Sequence, residues 1–306
     1  MRARLAAAVA VGTAAAAGWA ATRYRRDLAQ THARLAAFDR RLADTPFGPV
    51  EYAERGTGEP LLVSHGIFHG CDGGLESVRD TVADRRVIVP SRFGYLGSAL
   101  PPEANAADQA DAFVALLDHL GLDRVDVMAI SAGTSAAVQL ALRHPDRVRH
   151  LVLSSGNFPG STTAQAPPEW ATVFYSDPAM WLLKATARPM FARLMGVPDG
   201  FPRGPEDEAV MARMLGSIFP IGPRVDGAIL DAYRTNPEIT GYPFEELLVP
   251  TLVVHAVDDP LASYDAAAAA AARIPGARLV SLESGGHLQL GQTERVRREI
   301  ADFLAT

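Results

Sequence analysis

The sequence predicts an α/β fold in which a mostly parallel central sheet is flanked by helices, interrupted by a helical cap and preceded by an N-terminal anchor helix. Three observations carry that expectation. Short apolar runs of strand length alternate with helical stretches over residues 48–156 and again over 249–306, the pattern that crossover connections impose on parallel strands. Residues 157–248 break the alternation with helical stretches cut by many Pro and Gly, which reads as a cap inserted after a strand. Finally, an apolar run, Val125–Ile130, meets a small-residue helical run, Gly133–His144, with one serine, Ser131, at the junction.

In chain order, residues 5–21 are uncharged, Ala-rich and follow Arg2 and Arg4, so residues 1–22 read as a signal peptide or membrane anchor. An ordinary helix packed on protein is the third reading. Arg23, Arg25 and Arg26 directly after the stretch favour an uncleaved anchor in the cell membrane with the domain on the cytoplasmic side, while Arg2, Arg4 and the amino terminus pull the other way and leave topology open; secretion after cleavage is the alternative. Residues 23–47 follow as a linker helix, apolar at Leu28, Leu35 and Leu42. Strands are expected at 50–54, 60–64, 86–90, 125–130, 148–154, 251–256 and 277–282. Helices are expected at 75–83, from an Asn105 N-cap with Asp108 three residues on, at 133–144 stopped by Pro145, and at 262–273 and 294–304.

Composition narrows the function classes. With 48% hydrophobic and 21% charged residues the chain is globular, and a net charge of −6 with no basic block beyond the first 50 residues argues against a nucleic-acid partner. Every basic residue but Lys184 is arginine, which leaves Schiff-base chemistry one candidate in a segment with no other sign of it. The lone Cys71 excludes an internal disulfide, and it stands in a Gly-rich loop rather than at an elbow.

The Ser131 junction has the mechanics of a nucleophile elbow: a sharp strand-to-helix turn exposes the hydroxyl, and the flanking Ala129 and Gly133 are small because strand and helix pass close together. The simpler reading is a serine that only caps a helix, so the partners decide. A serine hydroxyl needs a base oriented by a carboxylate. Of eight histidines, His287 is placed best, in Ser284-Gly285-Gly286-His287 directly after the last strand. His255, within a strand, reads as a packed core histidine. Asp259, ahead of Pro260 at the end of the strand 251–256, is the candidate acid, with Asp258 adjacent but pointing elsewhere and Glu283 more remote. Oxyanion stabilisation needs two backbone N–H groups; Ala132 follows the nucleophile, and the loop His65-Gly66-Ile67-Phe68 offers Ile67 first and Phe68 second.

With Ser91-Arg92-Phe93-Gly94-Tyr95-Leu96-Gly97-Ser98 added, residues 48–304 resemble the α/β-hydrolase superfamily in its serine-nucleophile, esterase- or haloperoxidase-like branch. Nucleophile, acid and base fall in the order the family uses. Ala129 stands where the elbow usually has its first glycine, and Leu96 lengthens the Gly-Tyr-Gly loop by one residue. Serine at the elbow separates the chain from dehalogenases and epoxide hydrolases, and His-Gly-Ile-Phe differs from the His-Gly-Gly-Pro of proline iminopeptidases. The cap carries Trp170, Phe174, Trp181 and Met214 as candidate substrate-binding residues, which suits a small apolar molecule. The expectation is a serine hydrolase of an ester-type acyl bond, without cofactor or metal. A carbon–carbon bond hydrolase or acyltransferase using the same triad, and a non-catalytic ligand-binding protein on this fold, are the alternatives.

Overall fold

The computed structural model describes residues 2–160 and 166–306, with backbone alone over 2–16. Helix α1 (Arg2–Ala36) leads into strands β1 (Arg41–Thr45), β2 (Gly48–Arg55) and β3 (Glu59–Ser64). Helix α2 (Cys71–Ser77), β4 (Arg85–Pro90), α3 (Ala106–His119), β5 (Val125–Ile130), α4 (Thr134–Arg143) and β6 (Val148–Ser154) follow. The inserted segment holds α5 (Trp170–Phe174), α6 (Asp177–Thr186), α7 (Arg188–Leu194), α8 (Pro205–Ser217), α9 (Val225–Leu230) and α10 (Asn236–Glu238). The chain closes with β7 (Thr251–Ala256), α11 (Tyr264–Arg273), β8 (Arg278–Leu282) and α12 (Thr293–Leu304).

The eight strands form one sheet in the order β1-β2-β4-β3-β5-β6-β7-β8. β1 and β2 join antiparallel, and every pairing from β4 to β8 is parallel. Burial on both faces makes the central strands mostly apolar, with Asp126 of β5, His150 of β6 and His255 of β7 as buried polar exceptions. In β5, Val125, Val127 and Ala129 enter the core under α3 and α4, beside Phe113, Leu116 and Ala137. Met128 enters the opposite core with Leu75, Val296 and Ile300 of α2 and α12. Crossover connections thus return every parallel strand in one direction and collect the loops after β3, β4, β5, β6, β7 and β8 at one edge.

Local signals set the element ends. The Asn105 side chain accepts from the amides of Ala107 and Asp108 at 2.8 and 3.0 Å, and Asp108 reciprocates to the Asn105 amide at 3.3 Å, so α3 begins with the expected capping box.

One expectation at the N-terminus is corrected, and another finds no support. Residues 23–47 are not one linker helix: α1 ends at Ala36, and residues 41–45 pair with 48–52 as a hairpin. The charged sequence Arg41-Leu42-Ala43-Asp44-Thr45 hides a strand because only Ala43 is buried and Leu42 faces outward. No helix among the described residues is long and apolar enough to cross a membrane. The membrane anchor expected at 5–21 therefore has no support in the structure, and the side chains of its residues 5–16 lie outside the described ones. Beyond that stretch, α1 packs on the cap. Tyr24 meets Trp181 edge-on at 5.4 Å, Asp27 accepts from the Trp181 indole at 3.1 Å, and Arg34 donates to the Phe219 carbonyl at 2.5 Å.

Candidate active site

Ser131 stands at the carboxyl end of β5 with φ of +51°, the left-handed region that an L-residue enters only at a cost of about 1–3 kcal/mol. Strand and helix approach so closely here that a Cβ on Gly133 would lie 2.1 Å from the Ser64 carbonyl oxygen, which is why only glycine fits. Asn157 of the loop after β6 donates its amide to the Ser131 carbonyl at 3.3 Å. The loop after β3 reaches the same point: a Cβ on Gly66 would sit 3.4 Å from the Ser131 Cβ. Ala132 is buried, Ile67 is half-buried, and Phe68, at φ +61°, drives its ring into a cap cluster with Met180, Phe191 and Phe219.

His287 and Asp259 come together as expected, with the imidazole Nδ1 2.7 Å from Asp259 Oδ2. Nδ1 carries the proton in that contact, which leaves Nε2 as the basic nitrogen. The Asp259 side chain is fully buried, and burial alone would raise it. Hydrogen bonds from His255 and His287 outweigh that cost and hold its carboxyl well below the usual carboxylate range. His255 is therefore more than packing: its Nε2 lies 3.0 Å from the Ala262 carbonyl and 3.3 Å from Asp259 Oδ2. Asp258 points elsewhere and accepts from the amides of Gly285 and Gly286 at 3.2 and 2.9 Å, fixing the turn that presents His287. A cavity of about 80 Å³ lined by Ile130, Ser154, Met214, His287 and Gln289 links the end of β5 to the histidine loop.

The loop after β4 braces this arrangement. The Arg92 guanidinium forks onto Asp231 at 2.5 and 2.6 Å, and the Tyr95 hydroxyl donates to the same carboxylate at 2.5 Å. Arg92 also donates its amide to His65 Nε2 at 3.0 Å and its Nε to the His65 carbonyl at 3.1 Å, so the start of the Ile67 loop is pinned. Leu96, the extra residue, adopts φ +52° and donates its amide to Pro223 of the cap at 2.7 Å.

The cap also touches the histidine loop directly. His287 donates its amide to the Gly196 carbonyl at 2.8 Å. A Cβ on Gly196 would fall 2.2 Å from the His287 Cβ, and one on Gly286 would fall 2.4 Å from Pro198 Cδ. Sequence reasoning missed Gly196, Pro198, Asp231 and Gln289. Only the Asp258-Asp259 doublet carried a local signal for the turn.

The four expected cap residues separate. Met214 lines the cavity beside His287, and Phe174 packs against the cluster that holds Phe68. Trp170 is 60% exposed, and Trp181 turns its indole to Asp27 of α1, so neither is brought to Ser131. Cys71 is buried with its thiol pushed up to about 12, first by burial and then by Glu51, which keeps it protonated. Among the described residues no group of three or more His, Cys, Asp or Glu could hold a metal ion. His65 and His69 have a spacing a metal could use, but both ring nitrogens of His65 are engaged, by Gly66 and Arg92.

Comparisons with known proteins bear on the fold. Residues 59–292 match the family described as the alpha/beta hydrolase fold. An uncharacterized hydrolase of Bacillus subtilis is 28% identical over 265 residues, covering 79% of this chain and 89% of that protein. A 2-hydroxymuconate semialdehyde hydrolase of Pseudomonas putida is 28% identical over 273 residues, covering 82% and 89%. Among solved structures, an α/β hydrolase fold protein from Nakamurella multipartita superposes with a TM-score of 0.74 at 29% identity, covering 87% of this chain and 99% of that one. The enol-lactonase from Burkholderia xenovorans shares the fold, with a TM-score of 0.66 at 19% identity over 87% and 100%. The chain belongs to the α/β hydrolase fold family, and it is a hydrolase.

Proposed function

We propose that the chain is a serine hydrolase that cleaves an ester-type acyl bond of a small apolar substrate through Ser131, His287 and Asp259. The observation that carries the reading is the buried Asp259–His287 contact of 2.7 Å, at the sheet edge where Ser131 is held at φ +51°. In the first step Ser131 Oγ attacks the acyl carbonyl while His287 Nε2 takes its proton; the amides of Ala132 and Ile67 receive the developing oxyanion. The alcohol leaves with the proton from His287. Water then adds to the acyl-enzyme, gives its proton to His287, and the acid departs as Ser131 is reprotonated.

A second reading, hydrolysis of a carbon–carbon bond, is supported by the relative named 2-hydroxymuconate semialdehyde hydrolase. The test uses p-nitrophenyl esters of graded chain length and a ring-opened dienoic ketoacid, with wild type and Ser131→Ala. Turnover of the esters should fall by about 10⁴-fold or more in the variant. Equal turnover by both proteins would refute the role of Ser131, and turnover of the ketoacid alone would select the carbon–carbon reading.

A further inference from the structure

A groove that contains none of the Ser131, Asp259, His287 or Ile67 side chains opens between α1 and the cap. Its volume is about 690 Å³, within the size range of small-molecule sites. Tyr24 and Leu28 of α1 form one side, and Trp181, Phe191, Leu215 and Phe219 of the cap form the other. The polar groups of the groove are unbalanced. Asp27 accepts from the Trp181 indole and lies against Arg23 and Arg26. Asp177 accepts from the amides of Ile221 and Gly222, and Glu208 pairs with Arg203.

Lys184 in the last turn of α6 and Arg188 at the start of α7, both on the groove wall, have no carboxylate within ion-pair distance among the described residues. Lys184 is the only lysine of the chain. Its ammonium lies 4.9 Å from the centroid of the Phe219 ring, a cation–π contact that only partly replaces lost hydration. Burial lowers the Lys184 ammonium from its usual value, with Asp27 pulling the other way. A half-buried, unpaired cation above an apolar trough is stabilised by one kind of occupant, a molecule with an anionic end and an apolar body.

We propose that this groove is a second ligand site, separate from Ser131, which binds a single-chain amphiphile with an anionic head, the head on Lys184 and Arg188 and the chain along Trp181, Leu215 and Phe219. A free long-chain carboxylate and an anionic membrane lipid share that chemistry. The proposal commits to the free carboxylate, because the trough is bounded by protein on both sides.

The test titrates the full chain with monomeric dodecanoate by calorimetry, and separately with phosphatidylglycerol vesicles. Because Lys184 is the only lysine, an amine-reactive acetylating reagent followed by peptide mass measurement reads its protection directly. Dodecanoate should bind wild type and slow Lys184 acetylation while leaving the amino terminus unaffected. Lys184→Met should weaken binding by about 10- to 100-fold, the worth of one charge-assisted hydrogen bond. Lys184→Arg should restore most of it, and ester turnover should be the same in all three proteins. Protein blocked at Ser131 by a fluorophosphonate should bind dodecanoate as well as free enzyme does. Absence of binding, equal binding by Lys184→Met, loss of binding on blocking Ser131, or binding to vesicles without binding to dodecanoate would each overturn the proposal.

Discussion

His69 lies beside the Ser131 elbow, its Nδ1 within 3.6 Å of the point where a Gly66 Cβ would stand, and neither ring nitrogen makes a hydrogen bond of good geometry among the described residues. Its imidazole is pushed down to about 4, first by burial and then by the charge of Arg224. A histidine lowered on folding holds its proton more tightly in the unfolded chain. Its neutrality therefore supports the fold fully above about pH 6.5, and that support drains away as pH falls towards about 4. Over that window this group accounts for roughly 3 kcal/mol. His69→Gln should flatten the pH dependence of the urea unfolding free energy between those limits. His65, which burial and Arg92 also push well below its usual value, contributes to the residual slope. Unchanged slopes in the variant would mean that His69 titrates alike in both states.

Among the elements, the cap connection between α7 and α8 has the most direct hold on the chemistry. Gly196, at φ +79°, accepts the His287 amide and leaves no room for a Cβ. Gly196→Ala should displace the histidine loop and lower kcat by about 10²-fold, as a misplacement of about 1 Å does, with KM changing far less. Gly200→Ala is the control: it has the same backbone strain at φ +73° but nothing within 4 Å of the added methyl, so kcat should hold. Equal losses in the two variants would assign the effect to strain alone. Such a contact could not be read from the sequence, because it joins a Pro/Gly-rich turn to a loop far along the chain. The elbow, the Gly-Gly-His turn and the Asn105 cap could be read, because each is written within a few consecutive residues. β1 was hidden for the opposite reason: the spacing of Leu28, Leu35 and Leu42 suggests a helix, while the strand buries only Ala43 and takes its stability from β2.

Across the whole molecule, one buried carboxylate ties together the core, the cap and the N-terminal helix. Asp72 at the start of α2 accepts a fork from Arg224 at 3.0 and 2.9 Å, and Arg34 of α1 approaches from the other side at 3.2 Å. Arg224, fully buried, also donates to the carbonyls of His69 and Pro220, so the loop below the candidate oxyanion site and the base of the cap share its charge. Burial would raise the Asp72 carboxyl, but Arg224 and Arg34 lower it below its usual value, and the pairing holds above the unfolded carboxylate range, to be lost as pH falls through the lowered one. The two arginines are unequal partners. Arg34 is about two-fifths exposed in its side chain, so its pairing is screened by water, and Arg34→Ala, which also removes the hydrogen bond to the Phe219 carbonyl, should cost about 1–2 kcal/mol. Asp72→Ala strands the Arg224 charge in the interior and should cost about 3–5 kcal/mol, enough to unfold a marginal domain. Asp72→Asn, which keeps the shape and one acceptor oxygen, should fall between them. Urea unfolding of the three variants at neutral pH checks the order, and an Arg34→Ala loss as large as that of Asp72→Ala would place the main tie at α1 rather than between the core and the cap.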